Sequence, residues 1–280
     1  MFKVIPNGSP EEQSLGNQIK KWKELPPLDT TPVFLEFFEE QGQGNSNYPN
    51  QWSKIQGINY GTTPIPCTVL NKIIDASTVW LHLGITENSE GPSFNIIFQT
   101  VNDNGEEHYI SDDSFNTYIY DIEERESHSK QRFGISPELR NRLAYDWLIW
   151  AMPLESAFYA LTPKKMEGNE QNTSLSRIGN HSWVRVHKFG VTHHNLDMFK
   201  QSLGWNPDTA YNCENLQSNY TVNVHFGLTP SNYLIDKPMF NIIVKITEQS
   251  KVANPEIIAT TYLDFVGACP PACSGNGGTA

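Results

Sequence analysis

The chain has 280 residues, a formal net charge of −11 and only 18% charged residues, with its Lys and Arg scattered along it. Seven Trp, eleven Tyr and fourteen Phe make it a globular rather than a disordered composition, and a chain of this length buries about three quarters of its unfolded surface without staples. The absence of a basic stripe argues against nucleic acid as a partner, and the absence of any apolar run of about 20 residues argues against membrane insertion.

The opening "MFKVIPNGSPEEQ" lacks the apolar run of a secretory leader, so a cytoplasmic location is expected. A first helix is predicted over residues 10–25. Ser9 caps it, Pro10 takes the first helical position, acids fill the first turn, and Ser9 with Glu12 fits a capping box. Leu15, Ile19 and Trp22 form its apolar stripe. A short second helix is expected over 33–41 and a third over 68–75. "VWLHLGI" (79–85) then alternates as a strand, with Val79, Leu81, Leu83 and Ile85 on one face and Trp80, His82 and Gly84 on the other. "FNII" (94–97) follows after a short loop and reads as its antiparallel partner. Ile97 falls on the second face, which marks a central strand covered on both sides. A last strand is expected over 117–122.

Residues 121–132, "DIEERESHSKQR", carry charge and no apolar face, and read as a solvated linker. Beyond it the same order returns. "SPELRNRLAYDW" starts a helix over 137–152, apolar nearly all round and therefore expected to lie buried between two halves, with Trp147 and Trp150 inside. A short helix over 154–161 and another over 196–203 follow. "VNVHFGL" (222–228) places Val222, Val224, Phe226 and Leu228 inward; "FNII" recurs at 240–243, and a closing strand spans 257–265. Shared anchors in one order indicate a diverged duplication. The fold class expected is α+β and internally duplicated, each half two or three helices on a small, mainly antiparallel sheet. Its parts are a first repeat at 1–122, a linker at 123–132, a second repeat at 133–268 and a flexible tail at 269–280.

Candidate chemistry is sparse. His82 with Asn95, and His225 with Asn241, recur in both halves on the less apolar strand faces, and form a possible polar binding site in each. Cys269 and Cys273 flank Pro-Pro in the tail. A polyproline path at ~3.1 Å per residue sets their Cα atoms about 12 Å apart, beyond the roughly 7 Å a disulfide tolerates. This leaves a metal, an intermolecular link or free thiols as their uses, with a mobile tail as the plain alternative. His181, His187, His193 and His194 lack the spacing of a compact metal site. Cys67 stands near a helix start, where the dipole lowers a thiol pKa; a buried structural role is the commoner one. Four cysteines are too few for a disulfide framework. The adjacent acids Asp112-Asp113 and Glu123-Glu124 point apart on a strand and make poor acid–base pairs. No motif for nucleotide, nucleophile or zinc chemistry is present, and no cofactor is expected.

The capped helix, the "VLNKII" helix, the "VWLHLGI" and "FNIIFQTV" strands and the closing Cys-Pro-Pro-x-Cys tail together resemble short uncharacterised bacterial proteins, here as two fused units. The resemblance implies no assigned activity and no catalytic residues. The function expected is a non-enzymatic protein-binding or assembly module, self-association included. The alternative is a thiol- or metal-dependent enzyme drawing on Cys67, Cys213 or the tail.

Overall fold

A computed structural model describes residues 2–25, 35–38, 51–55, 57–60, 63–88, 91–112, 116–118, 130–149, 157–163, 181–191, 193–229, 239–252, 256–265 and 267–269. The fold is mixed α+β and dominated by strands. α1 (Pro10–Glu24) begins as its sequence dictates: Ser9 Oγ accepts from Glu12 N at 3.1 Å. The reciprocal half of the capping box shifts one residue outward, Gly8 N donating to the Glu12 carboxylate at 2.5 Å. α3 (Pro137–Ile149) is capped in the same way, with Leu139 N donating to Ser136 Oγ at 3.2 Å. α2 (Cys67–Ile74) and α4 (His193–Ser202) are shorter and place Val69, Leu70 and Ile73, and Leu196 and Phe199, in the core.

Two long hairpins organise the rest. β5 (Ala76–Asn88) pairs with β6 (Gly91–Asn102), and β13 (Ser218–Thr229) with β14 (Met239–Ser250). Their registers correspond: His82 faces Ile97 and Gly84 faces Asn95 in one, while His225 faces Ile243 and Gly227 faces Asn241 in the other. A third strand follows each, β7 (Glu107–Asp112) with Tyr109 beside Gln99, and β15 (Ile257–Phe265) with Tyr262 beside Lys245. The other flank of each hairpin is closed by a strand from the opposite half. β12 (Lys188–Gly190) and then β16 (Gly267–Cys269) extend from β5; β4 (Gly57–Asn59) and then β8 (Asn116–Tyr118) extend from β13. β1 (Phe2–Val4) and β9 (Lys130–Gly134) finish the far edges. Sheet 1 thus runs β1-β7-β6-β5-β12-β16, and sheet 2 runs β9-β15-β14-β13-β4-β8. All pairings are antiparallel except β15 with β9, because the chain reaches that edge from the opposite end. Even so, Ile5 N donates to Tyr109 O and Ile135 N to Tyr262 O, each at 2.9 Å.

The inner faces of the two sheets meet in one core. Leu81, Leu83, Phe94 and Ile96 from sheet 1 join Val224, Phe226, Phe240 and Ile242 from sheet 2. Phe94 lies edge-on to Phe226 at 5.4 Å, and Trp147 edge-on to Phe240 at 5.2 Å. The indole of Trp22 donates to Val186 O at 2.8 Å, across to the second half, and the indole of Trp147 donates to Ile55 O at 2.9 Å, back to the first. Truncating Trp147 to Ala will cost about 3–5 kcal/mol from burial and cavity, whereas Trp147→Phe, which keeps most of the ring, will cost about 1–2 kcal/mol for the orphaned carbonyl. Denaturant unfolding of the two variants measures both.

The outer faces are covered by helices. Ile97, fully buried as expected, packs over Gly84 against Leu15 and Ile19 of α1; Ile243 packs over Gly227 against Leu143 of α3. A Cβ on Gly84 would stand 3.0 Å from Ile97 Cδ1, and one on Gly227 would stand 3.0 Å from Leu143 Cβ. Each glycine therefore lets a helix settle onto the strand.

Several expectations are corrected. The helix foreseen over 33–41 holds a strand, β2 (Leu35–Phe38), paired with β3 (Gln51–Lys54). The helix foreseen over 154–161 gives way to β10 (Tyr159–Pro163), paired with β11 (His181–Arg185). Both segments are short and aromatic, a composition that favours strands. α3 lies on an outer face rather than between the halves, and Leu139 and Tyr145 on its far side are exposed; Trp150 lies outside the described residues. The end of the charged linker forms β9, an edge strand of sheet 2. Cys269 ends β16, its backbone paired with Lys188, so the sheet reaches one residue into the segment taken as tail; Cys273 lies outside the described residues. Among the described residues no helix is long and apolar enough to cross a membrane.

Candidate functional site

The outer face of sheet 1 carries two polar features, one beside each end of α1. Glu11, Ser14 and Gln18 stand at helical spacing along one flank of the helix and overhang a depression of about 240 Å³. The strands supply Thr86, Asn95, Ser111 and Asp112 as its floor and wall. Asn95 is buried, and its Nδ2 donates to Gln18 Oε1 at 3.0 Å. Asp112 is 3% exposed. Burial first, and then the charge of Asp112, pushes the Tyr60 phenol far above its ordinary pKa, so Tyr60 stays neutral and donates to Ile96 O at 3.1 Å. A groove of about 510 Å³ shares Ser14, Gln18 and Thr86 with the depression and continues past Asn17, Lys21 and Glu24.

His82 occupies the same face but not the same site. Ile97, seated over Gly84, stands between it and Asn95. His82 Nε2 donates to Gln99 Oε1 at 2.7 Å, and Gln99 Nε2 donates to Glu107 Oε2 at 2.8 Å. The amide orientation sets the imidazole tautomer and leaves Nδ1 as an acceptor with no hydrogen-bond partner among the described residues. Burial, against the opposing bond to Gln99, lowers the His82 pKa to about 4, and the charges of Lys188, Lys23 and His187 add to the effect. At neutral pH the ring is uncharged.

Sheet 2 arranges its pair differently. His225 is 3% exposed, and burial, then the Arg140 charge, lowers its pKa to about 3. Arg140 is itself buried, donates from Nη2 to the Tyr262 hydroxyl at 3.2 Å and stacks 4.8 Å above that ring. It stands on α3 seven residues before Trp147, as Leu15 stands on α1 seven before Trp22. Asn241 donates to the Asp264 carboxylate, whose pKa burial raises against that bond, and accepts from Ile242 N at 2.8 Å. The two histidines match each other in place, 6.1 Å from Tyr109 and 6.2 Å from Tyr262, and Asn95 opens onto the depression beside α1.

Two of the thiol candidates are joined in a pairing that sequence reasoning did not weigh. Cys67, at the start of α2, is bonded to Cys213 across 146 residues, with Cα atoms 5.5 Å apart. It is neither a reactive thiol nor a free buried one. Among the described residues no three His, Cys, Asp or Glu side chains converge as a metal site would require. Gln18, Ser111, Gln99 and Glu107 were not foreseen. The stripe Glu11–Ser14–Gln18 is a signal the sequence does contain, and Asp112 was weighed only as half of an acid pair. Compared with protein-family models, with curated proteins and with solved structures, the chain has no significant match to any.

Proposed function

We propose that this chain is a non-catalytic binding and assembly protein that receives an ammonium group of a basic protein partner in the depression beside α1. The observation that carries the reading is the lining of the depression by Asp112 and by Glu11, whose carboxylate Lys3 already approaches at 3.1 Å, beside the Asn95–Gln18 amide pair. Carboxylates and neutral acceptors in a partly dehydrated hollow favour a cationic donor. The net charge of −11 supports the same kind of partner by steering basic surfaces toward the molecule. The alternative, a thiol- or metal-dependent enzyme drawing on Cys67, Cys213 or the tail, has its first two thiols held in the disulfide.

We read the two sheets as copies of one unit. Matching strand order, hairpin register, helix-over-glycine packing and reciprocal indole bonds support that reading. The Cys67–Cys213 bridge favours an oxidising compartment over the cytoplasm expected from the sequence.

The probe for the site is Nα-acetyl-lysine amide, followed through the side-chain amide signals of Asn95 and Gln18. Saturable shifts are expected, with affinity falling about tenfold in Asp112→Asn, the loss of one charge-assisted hydrogen bond. Equal shifts with the uncharged norleucine analogue, or none with either, would remove the proposal.

A further inference from the structure

At the C-terminal end of α1 the acidic chain gathers cations. The last turn is docked on the β11–β12 connection by the Trp22 indole on Val186 O at 2.8 Å and by Arg185 Nη1, which donates to Trp22 O at 3.1 Å. This places Lys23 within electrostatic reach of His187 and Lys188. Lys188 pairs with His82 across the sheet, and its Nζ lies 3.8 Å over the Trp80 ring. Trp80 is held by Gly190, where a Cβ would come within 2.6 Å of the indole. Lys3 and Lys20 pair with Glu11 and Glu24, yet among the described residues neither Lys23 nor Lys188 makes an ion pair. Glu107, the carboxylate whose field reaches Lys188, is hydrogen-bonded to Gln99. Like charges held close together, here the exposed Lys23 and the half-buried Lys188, repel, and an anion relieves that repulsion.

We propose that Lys23, His187 and Lys188, floored by Trp80, form a site for a small oxyanion, a carboxylate or a phosphate group. The two ammonium groups supply charge-assisted donors, and His187 adds a third when protonated. This inference uses none of the residues that line the depression and stands apart from the lysine-binding reading. Burial, then Lys23 and Lys188, lowers the His187 pKa to about 4. Among the described residues the charges acting on it are Lys23 from α1 and Lys188, opposed by a hydrogen bond to the Arg185 backbone; it acts in turn on His82 of β5, and Glu107 from β7 acts on Lys188. A bound anion raises the His187 pKa above its free value, so binding takes up a proton. Affinity for an ionised anion then declines as pH rises through the raised value.

The test titrates the full oxidised chain with inorganic phosphate and, separately, acetate, at ionic strength held constant with chloride. The Trp80 indole and the His187 ring report by NMR. Saturable shifts with either anion support the site, and the anion that saturates names its source. Each of Lys23→Gln and Lys188→Gln should weaken binding about tenfold, and His187→Gln should flatten the pH dependence. Lys23 is exposed on its helix, so its replacement tests the site even if Lys188→Gln disturbs the strand. Absence of saturation with both anions, or undiminished affinity in Lys23→Gln, overturns the assignment.

Discussion

Replacing Cys67 and Cys213 together with alanine will lower the unfolding free energy by about 5 kcal/mol, the chain-entropy cost of opening a loop of this size. The bridge closes 146 residues, so the unfolded chain it constrains is more than half of the molecule. It also joins α2, from the first half, to the 3-10 turn Cys213–Asn215 in the second, next to the core formed by Val69, Leu70 and Tyr220. A loss of that size shifts the melting temperature by about 10–20 °C in a chain of this order. Dithiothreitol should produce the same shift in the unaltered protein and none in the double variant. A double variant within about 1 kcal/mol of the parent, well below the loop-closure estimate, would show that packing alone secures the two halves.

The hairpins were legible because the first strand of each alternates cleanly and because the second, a buried central strand, shows apolar residues on both faces; Ile97 and Ile243 carried that signal and are fully buried. The exchange of strands between halves was not legible. β4 and β12 are three residues each, "GIN" and "KFG", too short to show any period, and their positions are set by hairpins more than a hundred residues away in some pairings. β7 was passed over because His108, Ile110 and Asp112 mix charge with apolarity on the face that carries Ile110 into the core, which blurs the alternation of a strand. The disulfide escaped for the same reason as the exchange: no local spacing encodes a contact between Cys67 and Cys213. Asn95 was singled out by repetition with His82, yet its bond is to Gln18 on a helix 77 residues earlier. Repetition identified positions held by the fold, and the chemistry followed from what each helix brought to them: a glutamine over Asn95 in one half, and in the other an arginine over Tyr262.

Divided between residues 122 and 123, in a segment outside the described elements, the chain will yield two fragments that fail to fold alone and fold when brought together. Residues 1–122 would retain β5 with its flank open, since β12 and β16 come from the other fragment. Trp22 would lose its carbonyl partner at Val186 and its ring contacts with Phe158. Residues 123–280 would lack β4 and β8, leave the Trp147 indole without Ile55 O, and expose Phe226 and Phe240 where Phe94 now packs. Each fragment would present a long unpaired strand beside a bare apolar face, the arrangement that aggregates rather than folds. Co-expression under oxidising conditions should restore a soluble complex with a cooperative thermal transition, and the Cys67–Cys213 bond should hold the fragments in one band that separates into two on reduction. A cooperative transition and a dispersed amide spectrum from either fragment by itself would mean that the exchanged strands are peripheral, and that each half carries a core sufficient for its own fold.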